Sequence, residues 1–458
     1  MSDGLCFLPA TALADGYRAG RLSPVAVTEA HLARIAALDP IIHAFTEVFV
    51  DEARAAARAA ADRYAADAPL GPLDGVPVAI KDLIEIAGKA CAAGSATRRG
   101  WIARTTAPAV TRLEAAGAVI LGKTHTVEFA LGGWGTNAHL GSPRNPWVSQ
   151  EPFTAGGSSS GSAAAVAARM ATLAIGTDTG GSVRVPAGFN GLVGLKTTPG
   201  RISLEGVVPL SPSLDTVGPI ARTVADAALL YDVLRDTPPP VPTVDLLARG
   251  IAGMTLGRVG SAELDGVDAE ITARYLEALR ALEARGARIV TPSLPRPLAD
   301  YQRDSEIMMA EAYALYGTLA EDPASPMDPA VRARVLTGRL PAQDYIRARW
   351  RAEADKRAML AAIAGCDALL APTARTLPIP LSAVDETTTS ATLARFVNQI
   401  GFCALAVPSG MAASGLPTSL QIVCRPDDEP TALAIGRACE AAIPFAHNLP
   451  SLALLQPA

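Results

Sequence analysis

The sequence predicts an α/β protein, one large α/β/α body in which helices cover a mixed central β-sheet. The first observation is composition: of 458 residues, 49% are apolar and 19% are charged, enough to bury a large core against the entropy of the chain. The second is alternation, because short apolar runs typical of buried strands are interspersed with longer helical stretches. The strand-like runs are 78–80, 118–121, 172–175, 254–259, 287–290, 368–370 and 419–423, and the helical stretches are 106–116, 161–170, 183–189, 224–234, 269–285 and 345–362.

Two regions are expected along the chain. Residues 1–70 are predicted to form a helical segment packed on the core: Ser23 and Pro24 are typical of an N-cap and a first helical position, and an Ala-rich helix begins at about Thr46. Residues 71–458 are predicted to form one continuous domain that carries the functional site. The proline cluster at 237–242 is interpreted as a surface connection, because strand-like runs resume on both sides of it.

Charge and hydropathy exclude several kinds of partner. The 45 acidic and 40 basic residues give a formal net charge of −5, and no block of Lys and Arg is dense enough to neutralise a phosphate backbone, so direct nucleic-acid binding is not expected. No charge-free apolar run reaches the length of about 18 residues that predicts a membrane helix. Residues 5–14 are apolar, but Asp3 precedes them and Pro9 interrupts them, unlike a signal peptide. We therefore expect a cytoplasmic protein.

The cysteines indicate neither a metal site nor a disulfide framework. They are scattered, without a C-x-x-C pair or a histidine at a partnering distance, so neither a zinc site nor a disulfide framework is expected. They are interpreted as small core residues in a reducing compartment. The six are Cys6, Cys91, Cys366, Cys403, Cys424 and Cys439.

Three segments carry residues suited to one chemistry. GVPVAIKD places Lys81 at the end of a strand-like run, while GGSSSGSAAAVAA and GTDTGGSVRVPA place Ser158 and Ser182 in glycine-rich turns beside helical stretches. A serine hydroxyl is a poor nucleophile at neutral pH and requires an adjacent base. A lysine can be that base where burial disfavours its ammonium form. The glycines before Ser182 suit an oxyanion hole, because their unshielded N–H groups can point at a developing charge.

These segments resemble the amidase signature hydrolases. The serine segments are similar to the family signature in content and spacing, GVPVAIKD matches its lysine motif, and SLDTVGPIARTVADAA, CDALLAPT and GLPTSLQIV resemble landmarks further along the chain. The resemblance implies that Ser182 is the nucleophile of an acyl-enzyme and that Lys81 is the base. It also implies that Ser158 relays the proton between them and that the peptide bond joining Gly157 to Ser158 is cis. It implies oxyanion donors at the amides of Thr179, Gly180, Gly181 and Ser182.

The resemblance also assigns supporting residues. Asp178 is expected to brace the glycine turn, and Arg184 either to fix the start of the following helix or to meet a polar group of the substrate. The stretch after Lys123 corresponds to the wall of the acyl pocket in relatives, which makes Gly132, Gly133 and Trp134 candidates for substrate contact. The implied reaction is hydrolysis of a carboxylic amide to a carboxylate and ammonia or an amine, without a metal or organic cofactor. It is expected to be faster at alkaline pH as the base deprotonates. A small-molecule amide is the expected partner, and a homodimer is compatible with the sequence.

Other interpretations remain open at this point. A GGSSSGS string alone is typical of a flexible linker. His125 and His139 would be needed for a Ser-His-Asp triad, but neither serine lies in a G-x-S-x-G elbow, so both histidines are interpreted as structural. The first functional alternative is the glutaminase subunit of a tRNA-dependent amidotransferase. The second is a non-catalytic nucleotide-binding α/β protein, which the sequence supports less well because it contains no G-x-x-x-x-G-K-[ST] motif.

Overall fold

The structure is a computed structural model and describes residues 3–148, 150–303, 305–443, 445 and 448–451. One mixed sheet of 11 strands runs through it, which confirms the predicted α/β class. The strands are β1 (Phe45–Val48), β2 (Pro77–Lys81), β3 (Val119–Thr124), β4 (Leu173–Thr177), β5 (Val193–Lys196), β6 (Val217–Ala221), β7 (Thr255–Arg258), β8 (Arg288–Val290), β9 (Ala368–Pro372), β10 (Cys403–Met411) and β11 (Pro417–Cys424).

Within the described residues, the six helical stretches predicted after residue 100 correspond to helices of the structure, and six further helices in that region have no counterpart among the predictions. The described helices are α1 (Ala10–Arg18), α2 (Pro24–Ile42), α3 (Val50–Ala65), α4 (Pro108–Ala115), α5 (Ser160–Ala167), α6 (Arg184–Phe189), α7 (Val224–Leu234), α8 (Thr243–Leu246), α9 (Ala269–Glu283), α10 (Asp300–Arg303), α11 (Glu306–Glu321), α12 (Pro329–Leu336), α13 (Ala342–Ala362), α14 (Arg395–Gln399) and α15 (Glu429–Ala442). The proline cluster at 237–242 connects α7 to α8 and is mostly exposed, as predicted.

The strand order is β1-β3-β2-β4-β6-β5-β10-β11-β9-β7-β8. The pairs β2·β3, β2·β4, β7·β8 and β7·β9 are parallel, and the other neighbours are antiparallel. Because β2 and β4 are parallel neighbours, their carboxyl ends meet at one edge of the sheet. Lys81 ends β2 and Thr177 ends β4, so this edge brings together two of the motif segments.

The prediction of an all-helical segment before residue 70 is wrong in one place. Phe45–Val48 is strand β1, and the Ala-rich helix begins after it, at Val50. Four residues are too few to establish a period in the sequence, and the strand is held by its antiparallel pairing with β3. The strands approach closely at Gly122, where a β-carbon would lie 2.1 Å from the Glu47 carbonyl oxygen. The first 70 residues thus contribute to the sheet itself; a domain boundary at residue 70 stays a prediction.

Helix α5 packs on the sheet beside the two parallel strands. All eight of its residues are buried, and they are small: Ala, Gly, Ser and one Val. At Gly161 a β-carbon would lie 2.3 Å from the Ala44 carbonyl oxygen, so the backbone of this helix is packed directly against neighbouring backbone. Small side chains let α5 bring the turn that precedes it, which contains Ser158, down to the ends of β2 and β4.

None of the helices in the described part of the chain combines the length and apolar character needed to cross a bilayer.

Candidate active site

Lys81 is the buried centre of the site. No part of its side chain is exposed, and its Nζ lies 2.8 Å from Ser158 Oγ and 2.7 Å from Thr177 Oγ1. Burial lowers the pKa of Lys81 to about 7, although the negative charges of Asp178 and Asp215 act in the opposite direction. A substantial fraction of the amine is therefore uncharged at neutral pH, as a general base requires.

Ser158 is positioned by a cis peptide bond between Gly157 and Ser158, the bond that the resemblance implies. The Gly157 N–H donates to the Gly133 carbonyl oxygen at 2.7 Å, and a β-carbon at Gly157 would lie 2.7 Å from the backbone nitrogen of Gly135. The turn is thus packed against the 132–135 segment with no room for a side chain at residue 157. Ser158 itself is fully buried, and its hydroxyl faces Lys81.

Ser182 lies where the buried site meets a cavity. Its residue is 7% exposed and lines a cavity of about 430 Å³, which Lys81 and Ser158 do not line. The Ser182 carbonyl oxygen accepts a hydrogen bond of 3.2 Å from the N–H of Ser159, which ties the two serine turns together. Ser182 can therefore meet a carbonyl bound in the cavity, while Ser158 and the Lys81 amine lie buried on its protein side. This arrangement suits attack of the Ser182 hydroxyl on that carbonyl.

Asp178 and Arg184 form a buried frame for the glycine turn. Asp178 accepts hydrogen bonds from the N–H groups of Gly181 (2.8 Å) and Val183 (3.1 Å) and pairs with the Arg184 guanidinium at 3.0 Å, with both side chains 0% exposed. Burial alone would raise the pKa of Asp178, but the Arg184 guanidinium holds that pKa well below its usual range. The low pKa favours the charged carboxylate, which accepts hydrogen bonds from the glycine turn.

Arg184 takes the first of its two expected roles. It starts α6, bonds the carbonyl oxygen of Ala394 at 2.8 Å and the side chain of Asn398 at 2.7 Å, and does not line the cavity. The alternative expectation, contact with a polar group of the substrate, is wrong, because the guanidinium is fully buried and its three nitrogens all bond protein groups.

The expected set of oxyanion donors needs one correction. The Gly181 N–H is directed at Asp178 and is not available to a ligand. By contrast, the N–H groups of Thr179, Gly180 and Ser182 have no acceptor among the described residues. The Thr179 hydroxyl donates to Asp215 at 2.5 Å, which orients this residue, and burial raises the pKa of Asp215 to about 6. Three amides, rather than four, are thus free to meet an oxyanion.

The cavity is lined by two of the three residues expected to contact substrate, and the contact itself stays a prediction. Gly132 and Gly133 line it, but Trp134 does not. Trp134 is 6% exposed, packs near Phe189, and donates from Nε1 to Thr388 Oγ1 at 3.2 Å. Its glycine neighbours form the wall, while the large ring lies behind that wall and supports it.

Several residues of the site have no counterpart in the sequence predictions. Thr177, the second partner of Lys81, lies within the GTDTGGS motif, where a hydroxyl at a strand end is a usable signal. Other residues line the cavity from elements far apart in the chain and belong to no motif, so no local signal marks them. They include Gln302, Ser305, Met308, Met309, Arg334, Thr389 and Arg395.

The histidines and cysteines stay outside this chemistry. His139 is exposed, and the buried His125 ring packs on His43 with centroids 4.2 Å apart. Among the described residues, no hydrogen bond joins either ring to Ser158 or Ser182. All six cysteines are buried and none forms a disulfide, and no cluster of metal-ligating side chains occurs within the described ranges.

Comparisons with known proteins agree with this geometry. The family model described as Amidase matches residues 26–433. The chain is 36% identical to the A-subunit of the glutamyl-tRNA(Gln) amidotransferase of Geobacter metallireducens, covering 94% of this chain and 96% of that protein. It is 35% identical to the 2-amino-5-chloromuconic acid deaminase of Comamonas testosteroni, covering 94% and 95%.

A solved structure shows the same fold at similar identity. The native peptide amidase from Stenotrophomonas maltophilia superposes with a TM-score of 0.81 at 31% identity, covering 94% of this chain and 96% of that one. Since the family model and these relatives extend over nearly the whole sequence, the chain belongs to the amidase family and is an enzyme that acts on amides.

Proposed function

We propose that this protein hydrolyses a small carboxylic amide to a carboxylate and ammonia or an amine through an acyl-enzyme on Ser182. The observation that carries the proposal is the 2.8 Å contact between Lys81 Nζ and Ser158 Oγ at a fully buried site. There the pKa of Lys81 is lowered to about 7 by burial. The uncharged Lys81 amine lies beside Ser158, and the turn that contains Ser158 is bonded to the turn of Ser182 on the cavity. This arrangement supports transfer of a proton from Ser182 through Ser158 to Lys81.

The proposed acylation step begins with Lys81 uncharged. Ser182 Oγ attacks the amide carbonyl carbon while its proton passes to Ser158 and the Ser158 proton passes to Lys81 Nζ. The carbonyl oxygen becomes an oxyanion, which the free N–H groups of Thr179, Gly180 and Ser182 stabilise. The proton then returns along the same path to the leaving nitrogen, the C–N bond breaks, and ammonia or an amine departs.

Deacylation repeats this sequence with water. A water molecule attacks the ester carbon, its proton passes through Ser158 to Lys81, and the C–O bond to Ser182 breaks with return of the proton to the serine. The frame of Asp178 and Arg184 does not exchange protons in this scheme. Its part is to hold the glycine turn so that the amides stay aimed at the oxyanion in both half-reactions.

A second candidate function is the glutaminase subunit of a tRNA-dependent amidotransferase. The relatives named as the A-subunit of glutamyl-tRNA(Gln) amidotransferase support it, and one of them matches over 94% of this chain. That function would use the same three residues, with glutamine as the amide donor. Any contact with tRNA would then be made within a complex, since no dense basic block indicates direct binding by this chain.

Ammonia release separates the two candidates. Purified protein is incubated with a panel of small amides and with glutamine, alone and with amidotransferase partner subunits and tRNA. Release from small amides by the isolated protein supports the first proposal, with Ser182→Ala as the control for contaminating activity. If glutamine is the one amide hydrolysed, and only when partner subunits and tRNA are present, the result supports the second. No release under either condition would contradict both.

Two further expectations are carried forward as part of the proposal. We place the protein in the cytoplasm, an assignment supported by six buried cysteines that form no disulfide. The homodimer stays a prediction.

A further inference from the structure

The cavity beside Ser182 is positively charged. Of the described residues that line it, the only charged ones are Arg334 and Arg395, and none is acidic. The other polar groups there are hydroxyls and amides, chiefly threonines of the 387–392 segment and Gln302. A ligand in this cavity therefore meets cationic donors without a competing protein carboxylate on the wall.

Arg334 is already neutralised within the protein. Its Nη2 lies 2.8 Å from Glu386 Oε2, a residue behind the wall, and its Nη1 donates to the Leu131 carbonyl oxygen at 2.8 Å. These contacts connect α12 to the segments on either side of the cavity. Arg334 is thus used mainly to assemble the wall.

Arg395 has no such partner. No carboxylate of the described residues pairs with it, its Nε is buried without an acceptor, and its one hydrogen bond to them is a long one of 3.5 Å from Nη1 to the Gln302 carbonyl oxygen. Burial, and after it the charge of Arg334, lowers the pKa of Arg395 to about 10, so the guanidinium stays charged at neutral pH. The Gln302 side-chain oxygen is likewise buried, with no donor in the described part of the chain.

Arg395 is half-buried at the cavity wall, and a guanidinium there without an acidic partner favours an anion in the cavity. A guanidinium also presents its donors as a planar fork, which matches the two oxygens of a carboxylate. The side chain lies next to the oxyanion site: a β-carbon at Gly180 would be 3.3 Å from Arg395 Nε. A carboxylate bound by Arg395 would therefore be only a short chain away from a carbonyl held by the Gly180 amide.

We propose that Arg395 binds a carboxylate of the substrate, so that this enzyme acts on compact amides that carry a carboxylate close to the scissile bond. The inference rests on the proposed function for the identity of the scissile group, but binding of the carboxylate depends on the cavity alone. The volume of about 430 Å³ fits a small molecule of this kind.

A direct binding measurement tests the carboxylate site without hydrolysis. Ser182→Ala protein is titrated calorimetrically with succinamate, a monoamide with a carboxylate, and with butyramide, in which a methyl group replaces the carboxylate. We expect succinamate to bind about 10- to 100-fold more tightly than butyramide, as a charged hydrogen bond contributes. Adding Arg395→Gln should remove most of this preference, and Arg395→Lys should restore part of it. Equal binding of the two ligands, or a preference that survives Arg395→Gln, would overturn the proposal.

Turnover provides the second readout. In the otherwise unchanged enzyme, the ratio of kcat/KM for succinamate to that for butyramide should fall about 10- to 100-fold in Arg395→Gln, mainly through KM for succinamate. Arg347→Gln is the matched control, because Arg347 lies on the exposed face of α13 and pairs with Asp344; its ratio should equal that of the wild type. An equal loss for both amides would instead assign Arg395 to the oxyanion or to the fold and overturn the carboxylate site.

The two proposals fail differently. If wild-type protein hydrolyses neither amide but the Ser182→Ala protein binds succinamate in an Arg395-dependent manner, the hydrolase proposal fails and the carboxylate site stands. If hydrolysis proceeds and Arg395 makes no difference to ligand preference, the carboxylate site fails and the hydrolase stands. Thermal unfolding of each variant, measured alongside, shows that the folded protein is being compared.

Discussion

Thr177 Oγ1 lies 2.7 Å from Lys81 Nζ, at the carboxyl ends of two neighbouring parallel strands. The lysine thus has two hydroxyl partners, Thr177 and Ser158, and only the second is on the proposed proton path. The relationship explains how a buried amine keeps a fixed position whether or not it is protonated. It also gives the threonine a role that can be measured separately from the chemistry.

Thr177→Val should lower both the rate and the pH at which activity develops. The valine keeps the shape of the side chain but removes an oxygen that accepts from the ammonium form, so the pKa of Lys81 should fall further. We expect the midpoint of the pH profile of kcat/KM to move to lower pH and kcat to fall about tenfold, since the amine is less well oriented. Thr243→Val, which removes a buried hydroxyl bonded to Asp232, is the control and should leave the midpoint unchanged. A midpoint that moves to higher pH would contradict the assignment.

The wild-type enzyme should become active as Lys81 loses its proton. The uncharged amine is the base, and the pKa of Lys81 is lowered to about 7, so kcat/KM should rise from low pH through about 7 and then level off. Initial rates of ammonia release across this range check the expectation. A flat profile, or activity that declines through neutrality, would show that the group that must be deprotonated is a different one.

Lys81→Met should reveal the cost of the buried amine through its pH dependence. The pKa of Lys81 is about 7 in the folded protein, against 10.5 for an ordinary lysine, so between these values the unfolded chain binds more protons and wild-type stability rises with pH. The Met variant lacks this contribution. The difference in free energy of unfolding between variant and wild type should therefore shift in favour of the wild type as pH rises from about 7 toward 10. Urea unfolding at several pH values measures it, and a difference independent of pH would refute the lowered pKa.

Asp178→Asn should destabilise the protein strongly. It leaves the Arg184 guanidinium buried beside a neutral amide, and breaking one partner of a buried ion pair costs about 3–5 kcal/mol. Activity should fall as well, because the glycine turn loses its brace. Asp344→Asn, in an exposed pair with Arg347, is the control and should change stability little. If Asp178→Asn were as stable as Asp344→Asn, the ion pair between Asp178 and Arg184 would not contribute to the stability of the frame.

Trp134→Phe should affect stability more than substrate binding. The indole does not line the cavity, so its loss removes packing and the hydrogen bond to Thr388 but takes no side chain away from the cavity wall. We expect a lower Tm with KM for small amides changed by less than about threefold. A large increase in KM at unchanged Tm would restore the ring to the substrate wall.

The parts of the site that can be predicted share one property: they lie within continuous segments. Lys81, Ser158 and Ser182 each stand in a stretch whose glycines and apolar neighbours already indicate a strand end or a turn. Arg395 and Gln302 offer no such signal, because an isolated arginine or glutamine in a helical stretch is ordinary on any surface. Only the fold brings them to the same cavity.

The wrong predictions concern features that are decided by contacts between distant parts of the chain or by a local bond that the sequence does not reveal. Strand β1 is four residues long and follows a helix, so it has no period that a sequence window can detect. The glycine neighbours of Trp134 place it in the expected pocket, but a large apolar ring gains more from burial against Phe189. The position of Gly181 in the glycine turn predicts an oxyanion donor, whereas the structure commits its N–H to Asp178.

The most direct test of the relay is to observe the acyl-enzyme. Wild type, Ser182→Ala and Lys81→Ala are mixed with an amide that the wild type turns over, quenched in acid, digested and analysed by mass spectrometry. We expect an acyl adduct on the peptide containing Ser182 in the wild type and none in Ser182→Ala. In Lys81→Ala the adduct should form slower by several orders of magnitude. An adduct on another residue, or one that forms within about tenfold of the wild-type rate without the lysine, would contradict the relay.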